Sequence, residues 1–296
     1  MQLIEIYNNS FGQLLCDGDF DLFGMLNTQK EGKRIFSYIN HKKYQEELNN
    51  QNLSCIVCTE ALLENLPHHI KGIIVAENPG EVFWKMHSRQ KIGKVPTLIG
   101  DNCQISRQAY IAKNNVVIGN NVIVEEFVSI KEGTQIGDNC IIRAGSIIGG
   151  EGFQLQSKYD NTYSVVKHLG GVIIGNDVEL QQTVCIDKAI FSWDNTVIGD
   201  GTKIDNLVHV GHAVKIGKNC EITAGIIFAG SVKTGDNIWI GPNATIRNNI
   251  LIEKNANISL GSVVTKSVEQ NQKVSGNFAI AHDKFLENLR HSMKEC

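Results

Sequence analysis

Aliphatic side chains recur at every sixth position of this chain, and that period excludes most folds. The series Ile118, Val124, Ile130, Ile136, Ile142 and Ile148 extends back, with one extra residue, to Ile111 and Ile105. It loses phase once and resumes at Ile174, then runs through Leu180, Ile186, Ser192, Ile198, Ile204, Val210, Ile216, Ile222, Phe228, Thr234, Ile240, Ile246, Ile252, Ile258 and Val264. Only Ser192, Phe228 and Thr234 in that second run are not aliphatic. A period of six matches neither a helix at about 3.6 nor a strand at about 2. It is the signature of a parallel β-helix, whose short strands turn a corner once per hexapeptide. Glycine often follows the core residue, as at Gly119, Gly137, Gly199, Gly217 and Gly235, where the chain is expected to bend without side-chain clash. Three hexapeptides to a coil place residues 18 apart above one another at about the strand spacing of 4.8 Å. That rule turns sequence distance into neighbourhood.

Two irregularities interrupt the coil. Ile148 and Ile174 are 26 residues apart, two more than four hexapeptides, and the stretch GGEGFQLQSKYDNTYSVVKHLGG between them is polar and aromatic. This is expected to leave the helix as an excursion, either a functional loop or a surface insertion. Ala189 to Asn195 keeps the register but carries Ser192 at the core position, which predicts a local bulge.

Outside residues 97–266 the pattern changes. Residues 1–96 mix helix-like and strand-like pieces, YQEELNNQ before LSCIVC and IKGIIVAENP before EVFWKMHSRQ, and are read as a small α/β domain. In residues 267–296 the segment AIAHDKFLENLRHSM sets Phe285, Leu289 and Met293 on one face of a short amphipathic helix. That helix is expected to cap the last coil. A chain of 296 residues with 42% hydrophobic and 20% charged residues buries a real core, and a net charge of -3 gives no global attraction to nucleic acid or anionic membrane. No basic run extends beyond short stretches such as Lys42–Lys43, and neither a membrane-spanning apolar run nor a signal-peptide layout is present, so a cytoplasmic protein is expected. Eight scattered cysteines then read as buried thiols. Cys55 and Cys58 form one C-x-x-C, but LSCIVC reads more simply as a buried strand than as half of a zinc site.

Several motifs carry a family resemblance. KIDNLVHVGHAVKIG at 203–217, IIGGEGF at 147–153, GGVIIGNDVEL at 170–180, CIDKA at 185–189, FAGSVKTG at 228–235 and FSYINHKKY at 36–44 resemble UDP-3-O-acylglucosamine N-acyltransferases of lipid A biosynthesis over almost the whole chain. The resemblance implies a left-handed parallel β-helix, a homotrimer with active sites between subunits, and acyl transfer to the amine of a nucleotide-linked amino sugar. The donor it implies is a thioester of acyl carrier protein or coenzyme A, with no permanently bound cofactor. Little helix follows Met293 for carrier docking, which favours the smaller donor.

The resemblance also assigns residues. The general base falls on His212, and imidazole suits that role because it titrates near neutral pH. Gly230 lies 18 residues further on, in the Ala-Gly-Ser that the family shows, and its N–H either stabilises the oxyanion or the glycine serves only the turn. Asp194, 18 residues before His212, is a candidate partner for the imidazole. Asp205 and Asn206 lie on another face of their coil and are either sugar-binding or structural. Tyr38, His41 and Tyr44 fall at positions that hold the uracil ring in the family, although the tyrosines also suit packing. Lys42 and Lys43 are candidates for the diphosphate. The sequence departs from the family at Asn249, where a second histidine is expected, at Ala213 in place of asparagine, and at Gln154 in place of glycine. Asn249 can donate a hydrogen bond but cannot exchange protons at neutral pH. Another amino-sugar substrate is compatible with these changes. The alternative class is a non-catalytic or metal-binding β-helix trimer akin to the γ-class carbonic anhydrases, which would need His168, His209 and His212 to converge. His168 sits in the excursion and His209 on the coil of His212, which argues against it.

Overall fold

The computed structural model describes residues 1–157, 162–276 and 279–292. The chain begins with α1 (Leu3–Ile6) and five short strands, β1 (Gln13–Cys16), β2 (Leu22–Phe23), β3 (Ile35–Tyr38), β4 (Leu53–Cys58) and β5 (Gly72–Val75). They form one sheet in the order β1-β5-β4-β3-β2, parallel except for the pairing of β1 with β5. The LSCIVC strand is β4, buried along its whole length, so the C-x-x-C thiols lie in the core and burial pushes both up to about 11. YQEELNNQ contributes to a 3-10 helix at Lys42–Asn49, and EVFWKMHS lies in α2 (Pro79–Ser88), which starts with Asn78 capping Glu81 N and Pro at its first position.

From Leu98–Ile99 to Lys273–Val274 the chain winds as a left-handed parallel β-helix whose three faces are sheets of nine, eight and eight strands. Parallel pairing therefore continues beyond residue 266. The hexad aliphatics point inward and form one continuous core, with Ile105 and Ile111 only partly buried at its open end. Stacked coils pair with an offset of 18, as in Ile204 with Ile222 and Ile222 with Ile240. Two offsets differ. Across the excursion the partner of Ile136 is Ile174, and across the Ser192 hexad the partner of Ile186 is Val210. Both segments leave the coil entirely, and Ser192 is exposed. The excursion contains an antiparallel hairpin of Leu155–Ser157 with Tyr163–Val165.

The bend expected at glycine is made mostly by asparagine. Asn121, Asn139, Asn219, Asn237 and Asn255 hold left-handed φ of 52–61°, a region that asparagine tolerates better than other L residues. Their amides form ladders between coils, for example Asn121 Nδ2 to Asn139 Oδ1 at 3.0 Å. The glycines that follow core residues answer a different need: a Cβ on Gly217 would lie 2.2 Å from the carbonyl oxygen of Gly235 in the next coil. Close stacking, rather than a special φ, requires glycine there.

At the other end of the chain α3 spans His282–Ser292, with Phe285 half exposed. Met293 and the side chain of Leu289 lie outside the described residues. No helix among the described residues is long and apolar enough to cross a membrane.

Candidate active site

The Ser192 bulge ties the two parts of the chain together. Trp193 Nε1 donates to Phe23 O at 2.7 Å, Trp193 stacks on Phe191, and Phe191 stacks on Trp84 of α2. Phe191 and Val166 thereby join the aromatic core of the N-terminal sheet. His87 is buried in the same cluster, with its ring 5.4–5.6 Å from those of Phe23, Trp84 and Phe191. Desolvation, helped by the field of His168, pushes His87 down from 6.5 to about 4. The folded protein therefore keeps His87 neutral while the unfolded chain takes up a proton below about 6.5, and stability is lost as pH falls from there to about 4. The full cost is about 3 kcal/mol. Melting temperature should fall over this range in the native protein and fall less in His87→Phe, provided the aromatic substitution folds at pH 7.

Between this clasp and the coil lies a cleft of about 510 Å³. Tyr38 and Trp84 form one wall, Ile190, Phe191, Trp193 and Asp194 another, and His212, Ala213, Gly230, Ser231, Asn248 and Asn249 the floor. The floor is a corner column in which His212, Gly230 and Asn248 succeed one another at the coil offset. Backbone bonds lock it: Ser231 N donates to His212 O at 2.9 Å and Asn249 N to Gly230 O at 3.2 Å. Ala213, Ser231 and Asn249 make the corner with φ of 57–63°.

The imidazole of His212 lies against Gly230. A Cβ on Gly230 would stand 2.4 Å from His212 Nε2, so any side chain there collides with the ring. Among the described residues the Gly230 N–H donates to no group. Desolvation holds His212 below 6.5, the field of His168 lowers it further, and Asp194 opposes both. An imidazole of this kind is neutral at physiological pH and can accept a proton. Beside it an uncommitted amide can donate to a developing oxyanion.

The structure brings His212, Gly230, Asp194, Tyr38 and Asn249 into this cleft. Asp194 acts on His212 through its field, since its Oδ1 accepts from Lys215 Nζ and from Asn195 N. Tyr38 packs on Phe83 with ring centroids 5.0 Å apart. Four sequence candidates lie elsewhere. His41 accepts from Lys43 N through Nδ1 as the cap of a 3-10 helix, and Tyr44 is exposed with Lys43 Nζ over its ring. Asp205 lines a separate groove with Glu179, Lys203 and Glu221, and its carboxylate caps Asn206 N.

Three features of the site were not read from the sequence. Asn248 was within reach of the coil rule, two coils on from His212. The aromatic wall of Trp84, Phe191 and Trp193 carries no periodic signal. His168 was expected to be held apart by the excursion; instead its ring packs edge-on against His212 with centroids 5.7 Å apart. Folding also gathers Arg89, Lys91, Lys94, Lys167 and Lys188 around one cleft, a basic patch that no run of sequence displays. His209 Nε2 faces Asp187 Oδ2 at 3.7 Å, and among the described residues no three histidine, cysteine or acidic side chains converge as a metal site.

The family model "Bacterial transferase hexapeptide (six repeats)" matches residues 115–150 and 195–225. The chain is 30% identical over 282 residues to a UDP-3-O-acylglucosamine N-acyltransferase of Coxiella burnetii, covering 85% of this chain and 81% of that protein. The chain belongs to the UDP-3-O-acylglucosamine N-acyltransferase family. It is an N-acyltransferase. A family member from Wolinella succinogenes is 34% identical over 165 residues, covering 55% of this chain and 51% of its own. The solved UDP-N-acetylglucosamine acyltransferase from Campylobacter jejuni shares the fold, with a TM-score of 0.50 at 20% identity over 67% of this chain and 79% of that one.

Proposed function

We propose that the chain transfers an acyl group from a thioester of acyl carrier protein or coenzyme A to the amine of a nucleotide-linked amino sugar, with His212 as general base. The observation that carries this reading is the juxtaposition of a neutral imidazole, its Nε2 edge against Gly230, with an uncommitted backbone N–H in a cleft of substrate size. His212 Nε2 takes a proton from the amine as nitrogen attacks the thioester carbonyl. The Gly230 N–H donates to the oxyanion. The tetrahedral intermediate then collapses, the carbon–sulfur bond breaks, and the proton passes from His212 to the departing thiolate. Asn249 serves as a hydrogen-bonding contact to substrate, and Asp194 tunes the base.

In the same reading residues 1–96 form the nucleotide-binding domain, 97–266 the transferase domain and 267–296 a C-terminal extension. Tyr38, His41 and Tyr44 meet the nucleobase; Asp205 and Asn206, which lie outside the cleft of one chain, meet the sugar across a subunit interface. Replacing Tyr38 and Tyr44 by Ala is expected to raise KM for the nucleotide sugar with kcat largely kept, because binding common to ground and transition states is lost. Unchanged saturation curves would dismiss that role.

The interface belongs to a homotrimer. Along one face of the prism the outward residues Tyr110, Ile147, Cys185, Ile227 and Val263 alternate with Ser129, His209 and Thr245, whereas the neighbouring face carries Glu179, Lys203 and Glu221 between Ile123, Ile141 and Trp239. Phe127 and Leu207 stand at corners with φ of 58° and 61° and with 65% and 68% of their surface exposed. A neighbouring chain that covers these side chains would remove them from water. Sedimentation equilibrium should give the mass of three chains, and a monodisperse monomer would contradict the assembly.

A reaction that draws on acyl thioesters and nucleotide sugars belongs in the cytoplasm. The activity is tested by mass spectrometry of products from a panel of nucleotide amino sugars, each offered acetyl-CoA and long-chain acyl carrier protein. An amide product with one pair names the substrates; no amide with any pair would overturn the reading.

A further inference from the structure

The imidazole pair formed by His168 and His212 contains two orphaned nitrogens whose chemistry is complementary. His168 is fully buried, and its Nδ1 lies 2.9 Å from the carbonyl oxygen of Val166. A carbonyl can only accept, as can the Glu151 carboxylate 3.5 Å away, so Nδ1 carries the hydrogen, and in the neutral form of the ring Nε2 holds the lone pair. That Nε2 is buried and has no partner among the described residues. The same is true of Nδ1 on His212. A buried polar atom without a partner is costly, and here two of them sit on adjacent rings.

Base catalysis decides which hydrogen His212 must carry. Its Nε2 lies on the Gly230 side, so Nε2 must hold the lone pair and Nδ1 the hydrogen. The tautomer of a histidine is set by the bond that its other nitrogen makes. An acceptor at Nδ1 is therefore needed, and the one histidine ring packed on His212 among the described residues presents an unused one.

We propose that His168 is a positioning residue that accepts a hydrogen bond at Nε2 from Nδ1–H of His212, directly after a small ring rotation or through one water, and so holds the base in its productive tautomer. The inference rests on His212 being the base. His168 is itself anchored from outside the pair, because its backbone N–H donates to Glu151 Oε2 at 2.9 Å and Glu151 is paired with Lys188 Nζ at 2.7 Å. Gly152 is part of the arrangement, since a Cβ there would come within 2.6 Å of His168 Nε2. The excursion thus supplies the support of the catalytic ring rather than a surface loop. The role resembles that of the carboxylate in a serine-protease triad, with an imidazole in its place.

The test compares His168→Leu, which removes the acceptor at similar volume, with His168→Gln, whose amide oxygen can accept in its place. Turnover, KM for the nucleotide sugar and the tautomer of His212 are measured, the last by nitrogen-15 NMR of the labelled imidazoles. His168→Leu is expected to lose turnover about 10- to 100-fold at unchanged KM, with His212 shifted to the Nε2–H form. His168→Gln should keep turnover within several-fold of the native enzyme and keep the Nδ1–H form. A folded His168→Leu protein with native turnover would overturn the inference, as would loss of turnover with His212 still in the Nδ1–H form, or a folded His168→Gln protein as impaired as His168→Leu. Failure of the underlying reading is separate: it would appear as native turnover in His212→Ala, whatever the His168 variants do.

Discussion

His212→Ala is expected to lower turnover by roughly 100- to 10,000-fold, the usual worth of a positioned general base. The coil should survive the change, because the inward position of that strand is Val210 and the His212 side chain points into the cleft. Affinity for the nucleotide sugar should persist, since Tyr38 and the aromatic wall are untouched. Asn249, standing where the family carries a second histidine, cannot exchange protons and will not rescue the variant. The pH dependence has a definite sign. A base works only when neutral, and burial lowers the point at which His212 takes up its proton. Activity attributable to this group is therefore retained above, and lost as pH falls through, a value below the ordinary 6.5. An NMR titration of the histidine resonance absent from His212→Ala should find its midpoint under 6.5; a midpoint at or above 7 would contradict the burial argument. Native turnover in a folded His212→Ala protein would remove the base assignment.

Gly230→Ala should be nearly as damaging from the addition of one methyl group. Gly230 does not hold a left-handed φ, so its backbone accepts alanine without strain. The obstacle is the ring, because the new Cβ would stand 2.4 Å from Nε2 and 2.5 Å from Cε1 of His212. One of the two must move by the better part of an ångström. Displacement of about 1 Å in a catalytic group costs on the order of 100-fold, and the same shift fills the space where an oxyanion would meet the Gly230 N–H. We expect kcat to fall by about that factor while the melting temperature changes by only a few degrees, a combination that separates a local collision from unfolding. Equal kcat in the two proteins would mean that neither the ring nor the amide is where the reaction occurs.

The hexad from Ile105 to Val264 determined the coil by itself, because inward residues of a β-helix are read by a strict period and each coil repeats the chemistry of the last. The same arithmetic located Gly230 beside His212, since a uniform offset makes vertical neighbours a matter of counting; Asn248, one coil further, was open to the same count but was not read. It also marked the two places where counting fails, the excursion and the Ser192 hexad, as departures in phase and in polarity. The motif around His212 and Asp205 was legible for another reason: its residue types and order are those of a family.

Tertiary structure alone decided what the departures do. No period links Trp193 to Phe23 or Phe191 to Trp84, so the aromatic clasp that makes a cleft out of one face of the coil has no sequence signal. His168 is 44 residues from His212 in the chain and reaches it because the excursion folds back, which no local pattern encodes. The corner residues show the same division. Glycine after many of the core residues is visible in the sequence, but its reason, a carbonyl 2.2 Å from where a Cβ would stand on Gly217, exists only once the next coil is in place. Repetition makes contacts within the coil a property of the sequence, whereas contacts made by the segments that leave it depend on where the chain returns.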